Sequence, residues 1–222
     1  QATGPGTDDL TAATFAGGKF LRRQLDSTVV SGMSVEAFFS SSTVPAAATL
    51  IVGHGALTIE QTATGTVVAR SAFGVESTLN LTDGATHHLA ATYDGATVRL
   101  YVDGVADGSV ADAAFAPTLD DIAVGGSTSG RTITGVVAHA AAYGSVLSAA
   151  RILEHATAGA SAWAGETTDE RMERYANLAD IPDAELALDA GSTTMLHVDT
   201  SGANVVDMMR LVETTEGGVL FD

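Results

Sequence analysis

Two Asp-Gly steps, Asp94-Gly95 and Asp103-Gly104, lie nine residues apart within a β-rich stretch of the chain. Asp-Gly tolerates the positive φ angles that tight hairpin turns require. The runs around them, His87–Tyr93, Thr97–Val102 and Val105–Gly108, therefore read as the three strands of an antiparallel meander. Asp107 also precedes a glycine and reads, like Asp94 and Asp103, as a turn former. A meander needs a covered face to be stable, and the rest of the N-terminal part supplies more strands. Met33–Phe39 alternates until its final pair and Ala56–Thr62 alternates throughout, which suits strands with one buried and one wet face. Ala48–Val52 and Thr66–Ala69 are more continuously apolar, as expected of strands facing a second sheet. Thr118–Val124 and Arg131–Tyr143 complete the set. One short helix follows over Ala149–Thr157, capped by Ser148, with Ile152, Leu153 and Ala156 on one face. Many short strands with almost no helix define a mainly β, antiparallel two-sheet sandwich. With aromatics at only 5% of residues, its interior must be built from Val, Leu, Ile and Ala. That suits two closely packed sheets better than an open pocket lined with large rings.

Charge divides the chain. Residues 1–160 carry 14 acidic and 7 basic side chains, whereas residues 161–222 carry 13 and 3. Periodicity changes at the same place, beside the small, turn-prone run Thr157–Ala162. The expected organisation is a β-sandwich over residues 1–160 and an acidic α+β segment over 161–222. In that segment Thr167 and Glu170 have capping-box spacing, opening a helix that runs to about Ala179. Its inward positions are Met172, Tyr175 or Ala176, and Leu178 or Ala179, and Pro182 lies beyond its end. Thr193–Val198 reads as a strand. Val205, Met208, Met209 and Val212 follow the spacing of an amphipathic helix over about 203–214. Gly217-Gly218 ends it, and Val219-Leu220-Phe221 begins a strand the chain barely finishes. So little sheet implies that the segment continues in a longer parent. The start, Gln1-Ala2-Thr3-Gly4-Pro5-Gly6, lacks a methionine and a signal pattern, and likewise reads as a cut end.

The balance of 10 Lys+Arg against 27 Asp+Glu gives a net charge of −17. Phosphate-backbone binding needs cations, so nucleic acid is not an expected partner, and an anionic membrane surface would repel the chain. No run of about 18 apolar residues exists to span a bilayer. The absence of cysteine excludes disulfides and thiolate metal sites.

The meander carries a resemblance. His88-Leu89-Ala90-Ala91-Thr92-Tyr93-Asp94-Gly95, followed by Val98–Gly104, resembles the laminin-G-like, concanavalin A-like lectin/glucanase superfamily. Ile122–Gly126 is similar to that family's strand before its variable loop. Gly135–Tyr143, then Val146-Leu147-Ser148 and the helix to Gly159, are similar to its closing strand and terminal helix. The resemblance covers roughly residues 10–160 and implies a jelly roll of two antiparallel sheets that binds sugars or proteins. Two positions depart from the pattern. His87 stands where the family often has Trp, and Ala138 and His139 stand where an acidic pair usually follows the glycine. Any calcium or loop held by that pair in other members lacks its ligands here.

The tail carries a second resemblance. Val198-Asp199-Thr200-Ser201-Gly202, a helix, and then Glu213–Asp222 look like segments of bacteriophage minor tail proteins, particularly of phages infecting actinobacteria. The alanine, threonine and glycine bias, with one Lys against nine Arg, fits a GC-rich genome. This resemblance implies a non-catalytic module on a virion tail, with other tail subunits and a host-surface carbohydrate as partners. Purely structural tail decoration and a divergent glycan hydrolase are the alternatives.

No chemistry-bearing motif argues against a binding role. Glycosidases need two carboxylates flanking the scissile bond, and glucanases of this fold space them closely on one strand, roughly Glu-x-Asp-x-x-Glu. No strand here has that pattern. Glu36 and Glu60 sit singly on alternating strands and are expected to be solvated. Six histidines (54, 87, 88, 139, 155 and 197) form neither His-x-His nor His-Glu-x-x-His. His87 and His88 point to opposite faces of one strand, one expected packed and the other exposed. No metal site and no catalytic residue are therefore assigned. No cofactor is expected either. Calcium is the one alternative, through Asp120-Asp121 and the Ser127–Gly130 loop, although adjacent acids at a strand entry read first as turn residues. Gly53-His54-Gly55 and Gly125-Gly126 do not lead into helices, so phosphate binding has no support. Trp163, the single tryptophan, either stacks on a sugar or packs the two parts together, with packing expected. Arg22-Arg23 is expected to pair with nearby carboxylates. Ligand contacts come from loops that sequence order does not bring together, so ligand-binding residues stay unknown at this stage.

Overall fold

The structure, a computed structural model, describes residues 2–3, 11–161, 166–178, 181–182, 186–195 and 204–216. Its described strands are β1 (Ala2–Thr3), β2 (Thr11–Ala16), β3 (Leu21–Val29), β4 (Met33–Ser40), β5 (Thr49–His54), β6 (Leu57–Gln61), β7 (Val67–Arg70), β8 (Gly74–Glu76), β9 (Thr86–Tyr93), β10 (Thr97–Val102), β11 (Val105–Ala111), β12 (Thr118–Val124) and β13 (Thr134–Tyr143). Three described helices follow: α1 (Ala149–Ser161), α2 (Thr168–Leu178) and α3 (Val205–Glu216). Thr11–Gly159 forms one compact unit, and the described residues from Ala160 onward form another.

The first unit is the expected antiparallel two-sheet sandwich. One sheet runs β1-β2-β13-β4-β9-β10-β11 and the other β3-β12-β5-β6-β7-β8. Alternation decides the interior. Met33, Val35, Ala37 and Phe39 of β4, Leu89, Ala91 and Tyr93 of β9, and Val98, Leu100 and Val102 of β10 face Leu57 and Ile59 of β6 and Val67 and Ala69 of β7 across one aliphatic core. The meander is β9-β10-β11. The Asp94 carboxylate accepts the Ala96 and Thr97 amides at 3.0 and 2.9 Å, and Asp103 turns the chain at φ +50°. Gly104 follows at φ +80°, and a Cβ there would meet Leu153 and Ala156 of α1 at about 3 Å. Glycine is required at that turn both for its φ and for the approach of the helix.

Asp107 is not a turn residue. The β10–β11 register passes from Leu100 opposite Gly108 to Tyr101 opposite Ala106, leaving Asp107 as the extra residue of a bulge. Its carboxylate accepts the Ser77 hydroxyl (2.5 Å), the Thr78 hydroxyl (2.7 Å) and the Thr78 amide (3.1 Å), which tethers the chain after β8. The Asp120-Asp121 pair likewise lies inside β12 and not in a turn. Strands β1, β2, β3 and β8 add to those expected, and all lie at or next to sheet edges. Helix α1 is capped by Ser148, whose hydroxyl accepts the Arg151 amide at 3.1 Å. Ile152 packs on Ala90 and Tyr101, but Leu153 is exposed, so the buried stripe is narrower than expected.

In the second unit α2 and α3 pack Met172, Tyr175 and Ala176 against Met208, Met209 and Val212, with Met195 joining them. Glu170 reaches back to the Thr167 amide at 2.9 Å, one half of the capping box, and Asn204 caps α3 by accepting the Asp207 amide at 2.9 Å. Of the strand expected over Thr193–Val198, the described part is a single bridge between Thr194 and Thr167. Residues 196–198, Val219–Phe221, His197 and Trp163 lie outside the described residues.

Candidate functional site

Directly paired residues of neighbouring strands share a face. One row across the six-stranded sheet therefore places Arg22, Ala123, Gly53, Thr58, Arg70 and Gly74 side by side. It lies on the face away from the core, because Leu57, Ile59 and Ala69 point inward. The floor between the two arginines is made of small residues. Four strand spacings separate Arg22 from Arg70, about 19 Å of backbone. At Gly53 a Cβ would come within 2.9 Å of the Thr58 methyl and 3.3 Å of Leu50, so any larger residue would stand up into the strip.

The parallel row beside it holds Leu50, Glu60, Val68 and Glu76. Glu60 is only 2% exposed, contrary to the solvated position expected of it. A buried carboxylate needs charged and hydrogen-bonding partners. Glu60 Oε1 accepts the Thr58 hydroxyl at 3.0 Å and Arg131 Nη1 at 2.7 Å, and Oε2 faces Arg70 Nε at 3.4 Å. The side chains of both arginines stay 40–45% exposed although the acid they hold is buried. At the other end Arg22 Nε donates to Asp121 at 2.6 Å, and its Nη2 donates to Gln24 at 3.0 Å. Arg22 thus pairs as expected; Arg23 does not, among the described residues. Three of the seven basic side chains of residues 1–160 stand on this one face, which leaves it locally balanced in a strongly acidic chain. The guanidinium N–H groups not used by Glu60 and Asp121 are oriented donors for hydroxyl or carboxylate oxygens. Next to Arg70, Phe73 projects from the β7–β8 turn, 57% exposed. The turn is pinned by buried Asp112, which accepts the Ser71 hydroxyl and the Ala72 amide (3.2 Å).

Glu60 and Glu76 flank Val68, with backbones two strand spacings or about 10 Å apart. Both are committed. Glu60 is clamped as described, and Glu76 Oε1 accepts the hydroxyls of Thr64 and Thr66.

Glu36 lies on the outer face of the opposite sheet, and it too is buried, at 5% exposure. Strand β4 supplies Glu36, β9 His88, β13 Tyr143 and α1 His155. The Tyr143 hydroxyl donates at 2.6 Å, His155 Nδ1 lies 2.9 and 3.0 Å from the two carboxylate oxygens, and His88 Nε2 lies at 3.4 Å. Burial raises the carboxyl's pKa, but the nearby His88 ring and the hydrogen bonds of Tyr143 and His155 outweigh it and hold the group at about 2. Burial and the same carboxylate push the Tyr143 phenol well above its usual range. The His88 ring also packs on Phe38, centroids 4.8 Å apart. This cluster locks α1 onto the sheet.

The other expected positions fall as follows. His87 and His88 do point to opposite faces, but His87 is half-buried between Asp103 (2.8 Å) and Asp83 (3.3 Å). Burial lowers its pKa, yet the two carboxylates outweigh that and raise it. His54 is buried, its ring bonded to the Asp121 carbonyl. His139 sits at φ +50° where the β4–β13 register shifts. Asp121 is taken by Arg22, and the Ser127–Gly130 loop follows the far end of β12, which lies about 10 Å along the strand from Asp121. Among the described residues no three His, Asp or Glu side chains gather as a metal site. Nor, among them, is any helix long and apolar enough to cross a membrane.

Two sheets of this topology with a terminal helix define a lectin-like jelly roll. Residues 17–153 match the family model of the concanavalin A-like lectin/glucanases superfamily, and the chain belongs to that superfamily. No curated protein matches it in sequence. Among solved structures it is similar to a candidate carbohydrate-binding protein from Bacteroides ovatus, with TM-score 0.56 and 16% identity over 64% of this chain and 46% of that one. The chain thus spans less than half of that protein's length. It is also similar to the heptameric SAP-like pentraxin of Limulus polyphemus (TM-score 0.53, 12% identity, 64% of this chain and 80% of that one). A third similar structure is the ligand-binding domain of botulinum neurotoxin serotype D in complex with N-acetylneuraminic acid (TM-score 0.53, 12% identity, 68% and 42%). At these identities the likeness establishes the fold.

Proposed function

We propose that the sandwich is a non-catalytic glycan-binding module whose ligand lies along the strip between Arg22 and Arg70. The observation that carries this reading is the Glu60 clamp. One buried carboxylate holds Arg70 and Arg131, whose side chains are 40–45% exposed, beside a row of small residues. Phe73 adds an exposed ring for the apolar face of a sugar. The carbohydrate-associated relatives of the same fold support the ligand class. The setting we propose is a bacteriophage tail, where the module meets a host-surface glycan or a neighbouring tail subunit. The tail-protein resemblance of Val198–Gly202 and Glu213–Asp222 and the excess of Arg over Lys support that setting.

A glycan array with the whole chain tests the ligand. Reproducible binding is expected, falling about tenfold or more in Arg70→Ala/Arg131→Ala through lost charged hydrogen bonds. Binding untouched by that pair moves the site elsewhere, and no retained glycan leaves tail decoration as the role. The hydrolase alternative rests on Glu60 and Glu76, which share this face with Val68 between them. Release of reducing sugar that disappears in Glu76→Gln would establish it. Tail-assembly genes flanking the reading frame are the expected result for the phage setting; their absence removes it.

A further inference from the structure

The Glu60 clamp is charged unevenly. One buried carboxylate meets two arginines, Arg70 and Arg131, in a chain that has only 10 basic side chains against 27 acids. A buried acid needs one compensating cation, and the second exceeds what neutrality requires. The acids that share this face do not supply the balance. Asp121 is paired with Arg22, and Glu76 accepts the hydroxyls of Thr64 and Thr66.

The bonding also leaves each clamped arginine a complete fork. Arg70 gives Glu60 its Nε and Arg131 gives its Nη1, one nitrogen from each. Neither side chain makes another hydrogen bond or ion pair among the described residues. Arg70 therefore keeps its Nη1 and Nη2 together, and Arg131 its Nε and Nη2. Either pair presents two N–H groups at the spacing of a carboxylate. Arg22 differs: Nε is given to Asp121 and Nη2 to Gln24, so its charge is balanced and both of its forks have already used Nη2. Arg70 is further placed by Gly74. Its Nη1 and Cζ lie 3.4 and 3.6 Å from where a Cβ would stand on that residue, so the guanidinium lies over the glycine that follows exposed Phe73.

We propose that the strip selects acidic glycans, with the carboxylate of a sugar acid lying on the free forks of Arg70 and Arg131. The proposal rests on the strip being the glycan-binding face and adds the chemical class it takes. A sugar carboxylate brings the clamp to two acids for two arginines, whereas a neutral sugar leaves the second positive charge unmatched. Arg22 and Phe73 then contribute to holding the chain of sugars without reading its charge.

Isothermal titration calorimetry of the whole chain tests this, at about 0.15 M salt, where acids farther than about 8 Å are largely screened. The probes are oligoglucuronate, oligogalacturonate and sialyllactose, each beside its carboxyl-reduced, neutral counterpart, so that uronic acids and nine-carbon sugar acids are told apart. Whichever class binds, the acidic form is expected to bind about tenfold or more tightly than the reduced one. Arg70→Gln and Arg131→Gln are each expected to lower that ratio about threefold or more. Arg22→Gln and Phe73→Ala are expected to weaken both forms by a common factor and to preserve the ratio. The ratio in the unaltered chain needs no variant, so a substitution that unfolds the protein does not decide the matter. Equal affinity for acidic and reduced forms, still lost in Arg70→Ala/Arg131→Ala, overturns the acid assignment and leaves a neutral-glycan site. A preference for the acidic form that survives both glutamine changes overturns it as well, and so does sulfated dextran binding more tightly than every carboxylated probe. Binding of no probe in either form removes the glycan-binding reading along with this one.

Discussion

Glu36 and Glu60 occupy equivalent places in the pattern of the chain, single acids on alternating strands of opposite sheets, and both end up buried. What covers them differs. Glu36 is covered beside α1 by buried His88 and by half-buried Tyr143 and His155. Glu60 is held by the guanidinium groups of two arginines whose side chains are 40–45% exposed. The first arrangement suits a joint between elements, and the second suits a surface that meets a ligand. Removing each acid should separate the two roles.

The largest effect is expected from Glu36→Ala. It strands Tyr143, His88 and His155 donors between sheet and helix, a buried network with its acceptor deleted, and should cost about 3–5 kcal/mol in urea unfolding. A loss below about 1 kcal/mol would show that α1 is held by Ile152 and Ala156 alone.

Next comes the acid limb of stability. The Glu36 carboxyl titrates at about 2 in the folded chain against an ordinary 4.5. A depressed value means the stabilisation is fully present above about 4.5 and is lost as pH falls from there toward 2. The shift corresponds to about 3 kcal/mol. Chemical denaturation at pH 5 and at pH 2.5 should show most of that difference, and Glu36→Gln should flatten it. An unchanged slope in Glu36→Gln would assign acid sensitivity to other carboxylates.

These two acids also mark where reading the chain stops. Alternation in β4 and β6 correctly says which face Glu36 and Glu60 occupy, but it does not say whether that face is covered. The covering groups come from far away: His155 lies 119 positions from Glu36, and Arg131 lies 71 from Glu60. The meander was readable because Asp94-Gly95 and Asp103-Gly104 encode their turns locally, and β5, β6 and β7 because they are buried almost throughout. Strand β3 carries no such signal. Both of its faces are open, so no hydrophobic period marks it, and only pairing with β12 makes it a strand. Asp107 misleads for a related reason: Asp-Gly suits a bulge as well as a turn, and the choice is made by register against β10. The arginine-flanked strip combines residues from β3, β12, β5, β6 and β7, and becomes visible only once the sheet order is known.

The smallest change in stability is expected from Glu60→Gln, and it is the sharpest discriminator between the faces. Arg70 and Arg131 keep access to water when the charge goes, so unfolding should shift by only about 1 kcal/mol. Their orientation, however, depends on the acid: without it two guanidinium groups repel and splay. Glycan affinity should therefore fall several-fold while the melting temperature hardly moves, the reverse of the pattern expected for Glu36→Gln. Equal losses of stability from the two substitutions would mean that Glu60, like Glu36, serves to hold the sandwich together, and the polar strip would then lose its claim to be the binding face.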